Sequence, residues 1–356
     1  MKTDGGYALV TGGAGFIGSN VAHRLLAAGE RVVLFDNMSR RSVHRNAAWL
    51  AEQHGARVEV VVGDVRDQAA LRRVAAGATS VFHFAAQVAV TTSLVDPRED
   101  FEVNAAGTLN VLEALRALAS PPPVFFTSTN KVYGGLPDVA MRARGKRWEP
   151  EDPELLARGV SEARPLDFHS PYGCSKGAAD QYVIDYARTF GLRAVVFRMS
   201  CIYGPRQFGT EDQGWVAHFA IRALQGRPIA IYGDGKQVRD VLFVDDLVDA
   251  FLAARRDAAV LSGRAFNIGG GPENTLSLVE LLELLGELRG ARPATTFEPW
   301  RPGDQRYYVS DVTAFSAATG WRPRVGVQEG VRRLHQWLED ALSRPEHAPA
   351  FAGAAE

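Results

Sequence analysis

The sequence predicts an α/β protein with a doubly wound parallel sheet and a smaller, interleaved α/β domain. In the first half of the chain, short apolar runs rich in Val and Phe alternate with amphipathic segments. This order of strands and helices is typical of a parallel sheet with right-handed crossovers. The runs show little period-2 alternation, which indicates strands buried on both faces. After about residue 200, Gly and Pro become denser and the elements shorter, which indicates a second domain.

The elements follow in a regular order up to about residue 200. Strands are expected at residues 7–11, 31–36, 57–64, 80–86, 124–129 and 193–200. Helices are expected at residues 17–28, 67–75, 103–119 and 175–189. The segment between them at 135–168 is polar and without clear periodicity, so we predict a long functional loop there.

The same pattern suggests how the chain is divided into domains. Residues 1–200 with about 240–270 are predicted to form a dinucleotide-binding domain. Residues 201–239 with about 271–342 are predicted to form the substrate domain, and 343–356 a flexible tail. The 356 residues are enough for two domains.

Charge and cysteine content exclude several classes of protein. The chain has 40 Lys+Arg against 41 Asp+Glu, whereas proteins that bind nucleic acids or membrane surfaces need an excess of cations. The sequence has no run of about 20 apolar residues that could span a bilayer. Its 2 cysteines cannot build a disulfide scaffold, and no Cys/His spacing suggests a metal site. We therefore expect a cytoplasmic protein without nucleic-acid, membrane or metal partners.

A glycine-rich turn follows the first predicted strand and opens the first helix. Gly12, Gly15 and Gly18 permit a tight turn, let backbone N–H groups approach a pyrophosphate, and bring the helix close to the sheet. Phe16 and Ile17 lie inside this motif and join the predicted cofactor site. The alternative is a tight turn that binds nothing, but the strand–turn–helix context favours a dinucleotide.

Residues at the ends of the next strands complete the predicted cofactor site. Asp36 ends the second strand, where a carboxylate would bind a ribose hydroxyl and repel a 2′-phosphate, so NAD is favoured over NADP. Arg40 leaves NADP open, because an arginine there could pair with that phosphate. Asp64 and Val65 are placed to line an adenine pocket, unless they only form a strand-ending turn. The remaining predicted cofactor contacts are Asn37, Ser39, Ala85, Ala86 and Gln87.

Tyr172 and Lys176 lie one turn apart at the start of a predicted helix, on one face. A nearby ammonium favours the phenolate, which would let the tyrosine act as a base near neutral pH. Such a pair is common by chance, but Thr129 ends the fifth strand at the edge where doubly wound sheets bind ligands. We predict Thr129, Tyr172 and Lys176 as catalytic residues, with Tyr172 and Lys176 also contacting the cofactor.

These motifs resemble the extended short-chain dehydrogenase/reductase family of NAD-dependent epimerases and dehydratases, and the resemblance covers residues 7–342. It implies a Rossmann-type domain that holds NAD(P) and a smaller domain that holds a nucleotide-diphosphate sugar. It further implies that Tyr172 is the general base and acid on a sugar hydroxyl. Lys176 would hold the nicotinamide ribose and lower the pKa of the tyrosine, and Thr129 would orient the sugar oxygen. A homodimer or homotetramer is implied in the same way.

The residues after Thr129 discriminate between branches of this family. Similar dehydratases carry an Asp-Glu pair there and related decarboxylases a Glu, whereas this chain has Asn130 and Lys131. The resemblance therefore implies epimerisation, and the runs 128–134, 167–181 and 203–216 look like enzymes that invert C2 of a CDP-hexose. Such a reaction passes through a 2-keto sugar and returns the hydride, with NAD+/NADH tightly bound and regenerated each cycle. The alternatives are a C4-epimerase and a non-catalytic NAD(P)-binding sensor.

The predicted substrate side is carried by separate residues of the second half. Arg239 and Arg301 match family positions that grip the diphosphate through bidentate bonds, although either could instead form a surface ion pair. Trp215 faces the sugar or base in one interpretation and anchors the small domain in the other. Cys201 stands where many sugar epimerases of the family have Asn, and the neighbouring Ser200 is expected to compensate for the missing Asn. The other predicted substrate contacts are Gln87, Thr129, Asn130, Gln207, Gln213, Gly214 and Val216.

Overall fold

A seven-stranded parallel sheet lies at the centre of the structure, a computed structural model that describes residues 5–40, 43–301 and 304–343. The strands are β1 (Tyr7–Thr11), β2 (Val32–Asp36), β3 (Val58–Val62), β4 (Ala78–His83), β5 (Val124–Thr129), β6 (Met141–Arg144), β7 (Arg147–Pro150), β8 (Ala194–Met199), β9 (Cys201–Tyr203), β10 (Ile229–Tyr232), β11 (Val238–Phe243), β12 (Arg264–Ile268), β13 (Thr275–Ser277), β14 (Thr295–Glu298) and β15 (Tyr307–Tyr308). The central sheet has the order β12-β8-β5-β4-β1-β2-β3.

Helices cover both faces of this sheet and build the second region. They are α1 (Phe16–Ala27), α2 (Val43–His54), α3 (Gln68–Ala75), α4 (Val90–Val95), α5 (Pro97–Phe101), α6 (Gly107–Arg116), α7 (Pro153–Arg158), α8 (Ser170–Phe190), α9 (Trp215–Leu224), α10 (Val244–Arg256), α11 (Ala258–Leu261), α12 (Leu278–Arg289), α13 (Thr313–Thr319) and α14 (Val327–Ser343). Short 3₁₀ turns occur at Gly55–Arg57 and Asn130–Tyr133, and a π turn at Glu102–Ala106 joins α5 to α6.

Side chains that alternate along each strand enter two different cores. Phe125 packs in a cluster with α1 and α10, whereas its neighbour Phe126 packs in a cluster with α3, α6 and α8. Because successive residues of a strand point to opposite faces, both faces of the sheet are buried. This arrangement confirms the predicted doubly wound α/β fold. The exception is β3, the outer strand, where Val62 is 69% exposed, so the expectation that every strand is buried on both faces is wrong there.

Several elements differ from the sequence predictions. The strand predicted at 80–86 ends at His83, and α8 begins at Ser170 rather than at 175, with a proline in its first turn. The segment 135–168 is a β6–β7 hairpin followed by α7 rather than an irregular loop. The helix α2 was not predicted, and the helix expected at 103–119 begins inside the π turn.

The second region forms its own core beside the central sheet. Strand β11 pairs with β9, β13 and β15, and β10 pairs with β14. A third apolar cluster joins α9, α12 and α14. The β6–β7 hairpin reaches this region, since the N–H of Trp148 donates to the carbonyl of Lys236 at 2.9 Å. The domain boundaries named above remain a prediction, and apart from Ser343 the predicted tail lies outside the described residues.

Candidate active site

A cavity of about 590 Å³ opens at the carboxyl ends of β1 and β4. From β1 the chain continues outward through β2 and β3 and then returns to β4, so the sheet changes direction between β1 and β4. Ligands of doubly wound sheets bind at such a switch point. Every residue predicted to contact the cofactor lines this cavity, as does every predicted substrate contact except Arg239 and Arg301.

The glycine turn at the cavity leaves no room for side chains. A Cβ at Gly18 would lie 2.4 Å from the carbonyl oxygen of Gly12, and Gly12 itself has a φ of +64°. Gly15 caps α1 without a side-chain hydrogen bond, and Gly15, Phe16 and Ile17 at the start of this helix line the cavity. Backbone donors at a helix N-terminus, brought close by glycines, fit the pyrophosphate of a dinucleotide.

Asp36 connects this turn to the end of β2. Its carboxylate is buried and accepts the N–H of Ala14 at 3.0 Å and the N–H of Met38 at 2.9 Å. Burial raises the pKa of Asp36, against these hydrogen bonds and the positive charge of Arg40. The carboxylate is thus held at the mouth of the glycine turn, where a ribose hydroxyl of a dinucleotide would lie.

The structure adds cavity residues that the sequence did not suggest. Arg66 binds Asp64 through a fork, Nε to Oδ1 at 2.9 Å and Nη2 to Oδ2 at 2.8 Å, and it lines the cavity beside Val65. This pair holds the pKa of Asp64 well below its usual range. The Asp-x-Arg spacing was visible in the sequence, but only the fold shows its planar guanidinium on the cavity wall. Glu99, Thr92 and Met199 also line the cavity.

Thr129 and Tyr172 meet at the centre of the cavity. Thr129 ends β5, and its side chain hydrogen-bonds the phenol of Tyr172 on the first turn of α8. Lys176, one turn further, is buried with its ammonium 4.3 Å from the centre of the Phe126 ring. The three predicted catalytic residues are therefore neighbours.

The electrostatics of this group differ from the sequence expectation. Burial raises the pKa of Tyr172 to about 12, although the hydrogen bond from Thr129 opposes the rise. Burial lowers the pKa of Lys176 to about 7, and the charges that stabilise its ammonium are Asp180 and Asp100. The predicted lowering of the tyrosine pKa by Lys176 is therefore not found in this structure, because desolvation raises the pKa of Tyr172 most strongly and the nearby charge of Asp100 raises it further.

Buried polar contacts fix α8 in place. Asn104, inside the π turn, donates to Ser175 at 3.1 Å and to the carbonyl of Gln87 at 3.1 Å, and accepts the N–H of Gln87 at 2.9 Å. Further along α8, Asp180 accepts two hydrogen bonds from Arg198 at 2.9 and 3.0 Å. These contacts join α8 both to the loop after β4 and to β8.

The two predicted diphosphate ligands are engaged with carboxylates outside the cavity wall. Arg239 is buried and binds Asp304 at 2.7 Å. Arg301 binds Glu211 at 2.9 Å and lies 3.7 Å from the centre of the Tyr232 ring. Both arginines therefore form ion pairs within the chain, which was the alternative to binding a diphosphate. The pair of Arg239 is buried rather than on the surface.

The segment 207–214 crosses from one side of the cavity to the other. Thr91 donates to Asp212 at 2.8 Å, and Arg40 donates to Gln213, so the segment reaches the cofactor side. Trp215 follows it, lines the cavity, and donates its indole N–H to Cys201 at 3.3 Å. Trp215 also packs on Phe219 in the third core, which supports its interpretation as an anchor of the small domain, and its contact with the sugar or base stays a prediction.

Among residues 5–40, 43–301 and 304–343, no group of three or more His, Cys, Asp or Glu could hold a metal ion. In the same residues no helix is long and apolar enough to cross a membrane. His83 is 1% exposed and lies between the hydroxyls of Thr11 and Thr108, at 2.6 and 3.0 Å, so it is a residue of the core.

The fold, the glycine turn and the cavity at the switch point are those of a dinucleotide-binding protein. The model of the NAD dependent epimerase/dehydratase family matches residues 8–269, so the chain belongs to that family. This membership confirms the predicted family and NAD as its cofactor.

Particular relatives match nearly the whole chain. CDP-paratose 2-epimerase of Salmonella typhi is 44% identical over 336 residues, which cover 92% of this chain and 98% of that protein. UDP-glucose 4-epimerase of Mycolicibacterium smegmatis is 35% identical over 334 residues, 93% of this chain and 98% of that protein. The crystal structure of UDP-glucose 4-epimerase from Thermus thermophilus in complex with NAD has a TM-score of 0.79 and 35% identity, and covers 94% of this chain and 99% of that one.

Proposed function

We propose that the protein is an NAD-dependent nucleotide-sugar epimerase that inverts C2 of a CDP-linked hexose of the CDP-paratose/CDP-tyvelose type. The observation that carries this proposal is the 44% identity to CDP-paratose 2-epimerase over 98% of that protein. The pair Asn130 and Lys131 after Thr129 supports it, since the two carboxylates that similar dehydratases carry there for water elimination are missing.

The glycine side of the cavity holds the dinucleotide in this proposal. The turn at Gly12 and Gly15 and the N–H groups of α1 bind the pyrophosphate. Asp36 binds the adenosine ribose, and the fork of Arg66 on Asp64 offers a flat cation to the adenine ring. Bound NAD+ supplies a hydride acceptor, and a positively charged ring that favours the phenolate of a neighbouring tyrosine.

Inversion at C2 requires oxidation, because the C2 hydrogen of such a sugar is not acidic without a neighbouring carbonyl. Tyr172 takes the proton of the C2 hydroxyl as the carbon is oxidised, and returns it when the 2-keto sugar is reduced on its other face. Thr129, hydrogen-bonded to the phenol, orients the reacting oxygen. Lys176, buried below the same site, binds the nicotinamide ribose and completes the group.

On the substrate side, the two arginines exchange partners when the sugar binds. Arg239 leaves Asp304 and Arg301 leaves Glu211, and both then bind the diphosphate in the bidentate manner that suits guanidinium. Residues 207–216, with Gln207, Gln213 and Trp215, cover the sugar and base. Gln87, Ser200 and Cys201 complete the wall around the sugar ring.

A C4-epimerase is the second candidate, supported by the 35% identity to UDP-glucose 4-epimerase over 98% of that protein. The same Thr129, Tyr172 and Lys176 would act on a sugar bound in a different orientation. A panel of nucleotide sugars, with the stereochemistry of the products determined by NMR, distinguishes the two. Inversion of CDP-paratose at C2 supports the proposal, whereas inversion only at C4 contradicts it, and no turnover of any sugar favours the NAD(P)-binding sensor.

The mechanism has its own test in deuterated water. Hydride return keeps the C2 hydrogen, so the epimerised CDP-paratose recovered from D₂O should carry no deuterium at C2. Incorporation of deuterium at C2 during turnover would favour deprotonation instead and contradict the oxidation step. Mass spectrometry of the product gives the result directly.

A homodimer or homotetramer in the cytoplasm belongs to the same proposal. The exposed side chains of Leu94, Val95, Phe101 and Phe190 lie on α4, α5 and α8, and support a contact between copies there. Light scattering of the purified protein measures the oligomeric state. Fractionation of the source cells tests the location.

A further inference from the structure

Lys131 is half-buried beside the lining of the cavity and contacts residues on two sides. It belongs to the 3₁₀ turn that follows β5, and its backbone N–H donates to the Thr129 hydroxyl at 3.2 Å. On the other side, its ammonium lies 3.5 Å from Oε1 of Gln305. Gln305 follows Asp304, the partner of Arg239, and its backbone N–H donates to that carboxylate at 3.0 Å. A continuous series of contacts therefore connects Thr129 to the Arg239 pair through Lys131.

Two cations share this interior region. Asp304 already binds Arg239 at 2.7 Å, and Arg239 acts on Lys131 more strongly than Asp304 does. Burial and this repulsion lower the pKa of Lys131 to about 8. A desolvated ammonium beside a guanidinium is stabilised when an anion enters between them. The local charge therefore favours a negatively charged group of the ligand over a neutral hydroxyl.

The chemistry of the substrate says which anionic group would lie there. In a nucleotide sugar the anomeric carbon carries the β-phosphate, and C2 is bonded directly to that carbon. A sugar whose C2 hydroxyl meets Thr129 and Tyr172 thus has its β-phosphate next to the reacting carbon. If Arg239 binds the diphosphate, the β-phosphate lies on the side of Lys131.

We propose that Lys131 is a substrate-binding residue whose ammonium binds the β-phosphate of the nucleotide-diphosphate sugar together with Arg239. This inference rests on the proposed function and deepens it, because it names the part of the substrate that the residue after Asn130 recognises. The Lys131 ammonium fixes the phosphate and with it the position of the neighbouring C2.

The test compares nucleotides with one and with two phosphates. Dissociation constants of CMP and CDP are measured by titration calorimetry on the NAD-loaded protein and on Lys131→Met and Lys131→Arg. In Lys131→Met, loss of a charge-assisted bond should raise the dissociation constant of CDP by roughly 10- to 100-fold. The dissociation constant of CMP should change by less than about two-fold, since CMP has no β-phosphate. Lys131→Arg should restore part of the CDP affinity. Lys146→Met, an exposed lysine paired with Glu283, is the matched control and should change neither constant.

Other outcomes overturn the inference. Unchanged CDP affinity in Lys131→Met, with weaker binding of the CDP-sugar alone, would assign Lys131 to a sugar oxygen. Equal weakening of CMP and CDP would indicate a structural role, and melting temperature and NAD content show whether the variant is folded. If the wild type binds no cytidine nucleotide, UMP and UDP are used, and failure to bind either pair overturns the inference. Because these measurements need no turnover, they are independent of the NMR assay that tests epimerisation.

Discussion

The two sides of the cavity are built in different ways. The cofactor side consists of a turn, a helix N-terminus and strand ends, held by contacts such as the N–H of Ala14 on Asp36. The predicted diphosphate ligands beside the cavity are long charged side chains held in ion pairs, Arg239 on β11 with Asp304 and Arg301 with Glu211. The first side depends on backbone geometry and is ready to bind. The second depends on ion pairs that a ligand must replace, so changes to the two sides should have different consequences.

The largest effect is expected where the two sides meet. Replacing Tyr172 by Phe removes the group that moves the hydroxyl proton, so turnover should fall by about 10²- to 10⁴-fold. NAD should stay bound, because the cofactor side is unchanged, and the ratio of bound NAD to protein is read from absorbance. Tyr182→Phe, an exposed tyrosine on the same helix, is the control and should keep full activity. A fully active Tyr172→Phe would refute the mechanism.

A change confined to the cofactor side should remove the dinucleotide. In Gly18→Ala the new Cβ would meet the carbonyl oxygen of Gly12 at 2.4 Å, which must shift the turn. Overpacking of this kind costs roughly 1–3 kcal/mol, so NAD affinity should fall about 10- to 100-fold. Gly326→Ala has no atom within 4 Å of its Cβ and serves as the control. If Gly18→Ala purifies with as much NAD as the wild type, the turn is not the pyrophosphate site.

The strand ends beneath this turn should be sensitive to acid. Burial lowers the pKa of His83 to about 3, below its usual value of 6.5, so the folded protein holds a neutral imidazole. Stability from this group is complete above about pH 6.5 and is lost as the pH falls towards 3, since the unfolded chain then binds a proton that the folded chain does not. The expected loss is about 1.4 kcal/mol per pH unit.

Urea unfolding at pH 7 and pH 5 measures this loss, with His83→Gln as the comparison. The variant should lose less stability between the two pH values than the wild type, by roughly 2 kcal/mol. Equal losses would mean that His83 titrates normally in the folded protein. The result bears on the comparison of the two sides of the cavity, because it measures how much a neutral, buried His83 beneath the cofactor side contributes to the free energy of unfolding.

The smallest effect is expected on the substrate side. Glu211→Gln removes the charge that pairs with Arg301, so that the guanidinium is available to the diphosphate. The affinity for CDP should therefore increase roughly two- to five-fold. The effect is small because the pair is partly exposed. Glu329→Gln, which breaks a pair with Arg333 on α14, is the control. Weaker CDP binding in Glu211→Gln would mean that Glu211 supports the ligand rather than competing with it.

The sequence predicted the cofactor side well because its determinants are local. A glycine turn between a strand and a helix, and a carboxylate at a strand end, have the same geometry wherever they occur. The predicted residues from Gly12 to Gln87 all line the cavity for that reason. Thr129 was also predictable because strand ends of a parallel sheet meet at one edge, and Tyr172 because it lies one turn before Lys176 at the start of a helix.

The substrate side could not be predicted in the same way. The partner of Arg239 lies 65 residues away in the chain, and that of Arg301 lies 90 residues away. The periodicity of the sequence does not predict such pairs, since they depend on how distant segments of the chain pack together. The helix α2 was missed because its apolar residues are grouped in one run at 47–51 rather than spread at helical spacing, and the π turn was missed because one extra residue in a turn leaves no pattern. Burial also raises the pKa of Tyr172, whereas the sequence analysis expected a lower pKa, because a sequence motif does not show how deeply a side chain is buried.

The π turn at Glu102–Ala106 has a mechanical consequence. It places the side chain of Asn104 so that its amide hydrogen-bonds both to Gln87 in the loop after β4 and to Ser175 on α8. Through this one amide, the loop that carries Gln87 and the helix that carries Tyr172 are tied together at the cavity. The wall against which a retained cofactor would lie is therefore cross-linked by hydrogen bonds within the chain itself.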